Sequence, residues 1–600
     1  MSTADQSITR SHYDVNVDPT RLELRVEWRL TGAAARGHVR AEIPAWAPGD
    51  YSFPALARDV FDVQARTADG RTLEVQRDGR QAWVIHDGGG DIRVTWRAWA
   101  YEIDFAEPSG IVDGAYAILL GARYLHTPAW PGACSVHYQV PDAWRNTLHH
   151  PSGAQPIGPQ TWEYPTFEIL LDTPVVMGDV HVISRDVCGT PFHCVFVDKG
   201  VGFDEVVERF VGDVLATART FHDMFGVFPF DDYTFVLTLH PAANWALEHL
   251  SSSMCGLGPD VFTDPDRYAL GVRVCAHELF HAWNVRRLRP SPLGELASHL
   301  QSGSFSAGLW IAEGFTRYYE FLSSTRVGVY TPPQFISTVV GYFSHLTVLP
   351  AYGRVSAADS SLAAYSNHSP KYPGRCNNAI DYYDKGMLIA FGLDGRLRRA
   401  GESLDAAFAE FYRRYQGFGP GIPGYTMDQV VDFFGERLPE LSAVLRREAL
   451  ECGPLDTIDV LRSLGFQPRF EDGHMLGLMF LNGGEPKVYN VLDDSPAGAT
   501  GIAPEDVITG LNGYAYTRAG LFWAANRAAP VQIRVLRGQR VLDFTISPKP
   551  VQRIADLVWN GTEEQAAMLF QWFGRRFELA NEQVFPLDFY ENLHGVETVI

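Results

Sequence analysis

Residues Leu22, Leu24, Val26, Trp28 and Leu30 alternate with charged or polar neighbours, and Ile92, Val94 and Trp96 repeat the pattern. A period of two puts every second side chain on one face of a strand, so these runs predict strands with one buried face. Turn signals such as APGD at 47–50 and ADG at 68–70 separate them. Residues 1–182 are expected to form an antiparallel β domain. From 183 to 458 the pattern turns mixed and then helical, with Ser403 as an N-cap and Thr426 and Gln429 as a capping box. Residues 459–548 read as a compact β-rich domain. Residues 549–600 read as one helix, capped by Thr562, and an extended end. The expected fold class is multidomain α+β.

A chain of 600 residues exceeds what one hydrophobic core can organise, which agrees with several domains. Its net charge of −21 argues against nucleic acid or an anionic membrane as partner. No apolar run is long enough to span a bilayer. The opening residues lack a basic segment followed by an apolar one, so a cytoplasmic location is expected. The seven cysteines (134, 188, 194, 255, 275, 376 and 452) are odd in number and scattered. They suggest neither a disulfide framework nor a thiolate metal site.

The stretch CAHELFHAWNVRRLRP, Cys275 to Pro290, carries the chemistry. On a helix His277 and His281 share a face and can aim two imidazoles at one ion. Glu278 lies on the adjacent side, placed to act on water at the metal. A catalytic zinc takes three protein ligands and keeps one position open. Glu313, in LWIAEGFTRYYE, follows far enough on for a second helix to supply the third. Glu320, two turns later, is a candidate to orient a ligand histidine. The alternative is an ordinary helix with two satisfied histidines. Arg286, Arg287 and Arg289 are read as complementing a helix C-terminus, and His249 as a local hydrogen-bonding residue.

HELFH followed by AEGFTRYYE resembles the gluzincins, the thermolysin-like zinc peptidases. The continuation HAWNVRRLRP looks like the glycyl aminopeptidase family, a branch of that clan with a C-terminal PDZ domain. IPAWAPGDYSF, NWALEHLSSS and YYDKGM are similar to further segments of that family, in the same order. The resemblance implies a thermolysin-like catalytic domain at 183–458, a PDZ-like domain at 459–548 and one zinc per chain. It implies Tyr383 as oxyanion donor, with neighbouring Tyr382 the lesser match. It implies Glu248 as the partner of a substrate α-ammonium. Trp245-Ala246 stands where the family pattern has two glycines. In the PDZ-like segment GLMF, 477–480, resembles a carboxylate-binding loop, so a peptide in that groove is a further expected partner.

The function expected is a zinc aminopeptidase acting on peptides with an unblocked, small first residue, glycine or alanine. Two alternatives stand beside it. One is a zinc endopeptidase without amine recognition, and the other a PDZ-type adaptor with an inactive peptidase body.

Overall fold

The two alternating runs become neighbouring strands. In this computed structural model Glu23–Thr31 pairs antiparallel with Ile92–Trp99, setting Trp28 opposite Val94 and Val26 opposite Trp96. Leu24, Val26, Trp28, Leu30, Ile92, Val94 and Trp96 are all buried. Leu22 stays outside the strand, in a left-handed turn conformation with φ 56°. The structure describes residues 8–32, 37–46, 49–51, 55–86, 90–101, 110–241, 246–293, 300, 303–367, 372–417, 422–481, 486–575, 578–587, 589 and 596–599. They fall into two units, 1–304 with 415–424, and 305–414 with 425–600.

The first unit begins with an eight-stranded sheet. Its strands are not all antiparallel, as the sequence had suggested: Arg10–Asp18 runs parallel to Cys134–Gln139. A period of two reports which face is buried and carries no information on the direction of a neighbour far along the chain. A five-stranded sheet follows, in the order Val180–Val187, Thr190–Val197, Tyr233–Thr238, Ser252–Gly256, Ala246–Glu248. Thr190–Val197 and Tyr233–Thr238 are parallel. The connection between them contains the helix Phe203–Phe225, the kind of crossover that parallel neighbours require. The division expected at 182/183 falls inside Val180–Val187.

In the second unit the helix Gly314–Val327 packs on Tyr382–Arg399. A Cβ on Gly314 would overlap the backbone at Gly386, and one on Gly386 would overlap Trp310 O. Two glycines thus let the helices approach backbone to backbone. Ser403 caps Leu404–Tyr415 through the Ala406 N–H, 3.2 Å. Thr426 and Gln429 form the capping box of Met427–Arg437.

The β-rich part of this unit has its own core, including Leu476, Leu478, Phe480, Ile508, Leu521, Ala525, Ile533 and Ile546. It contains a four-stranded sheet and the helix Arg518–Ala525. Phe466–Met475 pairs antiparallel with Lys549–Trp559, which joins the β-rich segment to the tail. The tail helix is Glu563–Phe573. The stretch 490–494 is tied to the helical part. Asn377 Nδ2 donates to Val491 O, 2.9 Å, and Asn377 Oδ1 accepts from Asp493 N, 3.0 Å.

Candidate metal centre

Pro265–Phe280 is the histidine helix. Asp264 caps it, accepting from the N–H groups of Asp266 at 2.8 Å and Arg267 at 3.3 Å, and proline stands at the first helical position, where no N–H is needed. Val272, Cys275, Ala276, Leu279 and Phe280 bury its inner face. Tyr233 Oη donates to Glu278 O, 3.3 Å, fixing the last turn to the sheet.

The helix ends at His281, which is buried. His281 Nδ1 lies 2.6 Å from Asn284 O. A carbonyl can only accept, so Nδ1 carries the proton and Nε2 presents a lone pair. His281 Nε2 is 3.0 Å from His277 Nε2. Two ligand nitrogens of a tetrahedral zinc would sit about 3.3 Å apart, so the pair has the spacing and the donor chemistry for a cation. Glu248, Glu278 and His281 are all buried and bring ligand atoms within 4.8 Å of one another.

Glu248 ends the short strand Ala246–Glu248, opposite Ser253. Its Oε1 has no hydrogen-bond partner among the described residues. Gly49, φ 96°, comes so close that a Cβ there would lie 2.8 Å from this oxygen. Gly49 therefore keeps room at the carboxylate. It was missed as a site residue, although the APGD turn in which it lies was recognised. Trp245 lies outside the described residues.

Asp172 is a second residue the sequence did not reveal. It closes the helix Phe167–Asp172 and accepts from Leu250 N at 2.8 Å and from His249 Nδ1 at 3.3 Å. Arg286 donates to it as well. Burial pushes this carboxyl up, but Arg286 and then His249 outweigh it, and the group stays below its ordinary range. Asp172 thus fastens the residues after Glu248 to the segment after the histidine helix. The arginine cluster does more than complement a helix end. Arg287 donates to Leu250 O at 2.7 Å and Ala282 O at 2.9 Å, and Arg289 to Arg286 O and Leu293 O, both at 3.0 Å. Burial, then neighbouring Arg286, pulls Arg289 down to about 9. His249 is a local hydrogen-bonding residue, as expected.

In the second unit Glu313 is buried at the junction of Leu309–Ala312 and Gly314–Val327. Tyr383 stands in the first turn of Tyr382–Arg399, capped by Asp381, which accepts from Tyr383 N at 2.9 Å and Asp384 N at 3.2 Å. Arg317, one turn after Glu313, pairs with Asp384 and lies 4.7 Å from the Tyr383 ring centroid. Burial, followed by the Glu313 charge, holds the Tyr383 hydroxyl well above its ordinary value. Tyr383 is therefore a neutral donor at any physiological pH. Tyr382 is buried and Tyr383 partly so. Glu320 is buried too, among the charges that raise Arg317.

Among the described residues no helix is long and apolar enough to cross a membrane. Residues 12–179 match the Peptidase M61 N-terminal domain, and 271–389 match M61 glycyl aminopeptidase. No curated protein matches the chain. The fold is shared with an aminopeptidase N family protein from Idiomarina loihiensis, at TM-score 0.81 and 18% identity over 94% of this chain and 100% of that one. An M1 zinc metallopeptidase from Deinococcus radiodurans is similar at TM-score 0.43 and 16% identity, over 74% of this chain and 95% of that one. The two matches, over 12–179 and 271–389, identify both segments with the M61 glycyl aminopeptidase family, a family of peptidases.

Proposed function

We propose that the protein is a zinc aminopeptidase that hydrolyses the first peptide bond of peptides beginning with glycine or alanine. The observation that carries this reading is the meeting of His277, His281, Glu278 and Glu248 at the end of one helix. His277, His281 and Glu313 would hold one zinc per chain. Zinc, when bound, polarises the scissile carbonyl and lowers the pKa of water to about 7.

Glu278 would take a proton from the attacking water and return it to the leaving amine. Tyr383 would donate to the oxygen that becomes negative in the tetrahedral stage. Glu248 would pair with the substrate α-ammonium, and its Oε1 lacks a partner within the described protein. A buried carboxylate oxygen in that state favours a cationic donor. We also propose the division into an N-terminal β domain, a thermolysin-like catalytic domain and a PDZ-like domain. The separate core beneath Arg518–Ala525 supports the last of these.

The test combines metal analysis with cleavage of glycyl and alanyl substrates bearing an unblocked or an acetylated amine. One zinc per chain with cleavage only of the unblocked forms is expected. Equal turnover of both forms would replace the aminopeptidase with an endopeptidase.

A further inference from the structure

The strand Leu478–Leu481 lies between two partners. On one side it pairs antiparallel with Asn490–Val491. On the other it pairs antiparallel with Val596–Val599, Leu478 opposite Val599 and Phe480 opposite Glu597. Tyr489 N donates to Met479 O, 2.8 Å, so the backbone groups of Met479 point toward 490–491. By the period of two, those of Leu478 and Phe480 point the other way, toward 596–599. Without that last strand their N–H and C=O groups would form an open sheet edge. Leu478 and Phe480 share a core with Leu521 and Ala525 of the helix Arg518–Ala525. An extended strand added to an edge beside a helix is a peptide-recognition geometry.

We propose that the chain's own residues 596–599 occupy in cis the groove of the PDZ-like domain, along the edge of Leu478–Leu481, where a peptide partner is expected. The site accepts in trans an extended peptide of the same chemistry, Val-Glu-Thr-Val, whose β-branched residues favour a strand. The occupant is tethered nearby. Ser337 Oγ donates to Phe589 O, 2.7 Å, and Phe589 packs on Tyr330 with ring centroids 5.7 Å apart. Only residues 590–595 separate this anchor from the strand, a reach of roughly 25 Å at most. A short tether of this kind gives an effective concentration on the order of millimolar. Ligands in trans therefore bind only by outcompeting or displacing the segment. The proposal rests on backbone pairing and on the PDZ-like reading of this domain, not on the peptidase reading, and its test measures no turnover.

The experiment uses a fluorescent peptide with the sequence of residues 595–600 and the full-length chain, native and Glu597→Pro. Proline removes the N–H that faces Phe480 and disrupts the added strand. The peptide should bind the Glu597→Pro chain about ten-fold or more tightly than the native chain. A peptide N-methylated at its Glu and second Val should lose binding. Equal affinity for the two chains, no binding to the variant, or undiminished binding of the methylated peptide would overturn the proposal. Hydrogen exchange on the native chain decides the matter even if the variant does not fold. Leu478 and Phe480 amides should be protected independently of protein concentration. Fast exchange at both would refute occupancy, and protection that grows with concentration would assign the strand to a second copy.

Discussion

Asp172 and Glu248 are both 4% exposed, and their surroundings are opposites. Asp172 receives hydrogen bonds from Leu250, His249 and Arg286. Glu248 keeps one oxygen with no hydrogen-bond partner among the described residues. Burying a carboxylate costs several kcal/mol, which donors and opposite charge must offset. For Asp172 the protein supplies the offset, and the carboxylate works as a clamp. For Glu248 one oxygen is left open, which the substrate ammonium proposed above would fill. Burial alone therefore does not mark a functional carboxylate in this molecule. The contrast is open to experiment at each carboxylate in turn.

The largest effect belongs to Glu278, the third buried carboxylate of the group. Glu278→Gln should retain its metal and lose about 10²–10⁴-fold in kcat, because an amide cannot accept the proton. Metal content and kcat measured together check this. Survival of both would remove Glu278 from the chemistry. Glu248→Ala comes next. Losing one partner of a desolvated pair costs roughly 2–5 kcal/mol, or about 30- to several-thousand-fold in kcat/KM. The loss should appear on glycyl substrates with an unblocked amine and largely vanish on acetylated ones. A uniform loss on both would show Glu248 to be structural, like Asp172, and the contrast would collapse.

How much of this the sequence showed depends on how local the physics is. The histidine pair follows from helical spacing within five residues, and the capping boxes at Thr426 and Thr562 are equally local. The alternating runs gave the buried faces of two strands correctly, since burial is written in the period of each strand. The parallel partner of Arg10–Asp18 was not legible, because pairing joins segments that share no local pattern. Asp172 was hidden for the same reason: its partners His249, Leu250 and Arg286 are distant in sequence, and no motif surrounds it. Gly314 and Gly386 lie inside quoted motifs, yet their role appears only when two helices meet. Gly49 is a similar case, since only the fold brings its turn to Glu248.

Tyr383 sharpens the comparison from the side of a neutral group. Its helix is held by the Asp381 cap and by Asp384, which pairs with Arg317. Tyr383→Phe leaves those contacts intact and removes only the donor. It should lower kcat by about 10²–10³-fold with little change in KM, as a donor used only at the oxyanion stage does. A rise in KM at constant kcat would assign the hydroxyl to substrate binding.

The smallest effect on turnover belongs to Asp172, and its signature is stability. Asp172→Asn touches no reacting atom, so kcat should stay within about ten-fold of the native value, and any change should fall mainly on KM through the placement of Glu248. Removing one partner of a buried ion pair costs about 3–5 kcal/mol, because Arg286 keeps its charge without its counterion. Urea unfolding should show that loss near neutral pH. Its pH dependence has a definite sign. The folded carboxyl lies below its ordinary value, so its contribution is present above the unfolded pKa of about 3.9 and is lost as pH falls through the folded one. The gap between native and Asp172→Asn chains should therefore be flat from about pH 5 to 8 and narrow below about pH 4. A gap that instead widens on acidification, or a variant as stable as the native chain at neutral pH, would mean that Asp172 is no clamp. Its contrast with Glu248 would then have to be drawn from geometry alone.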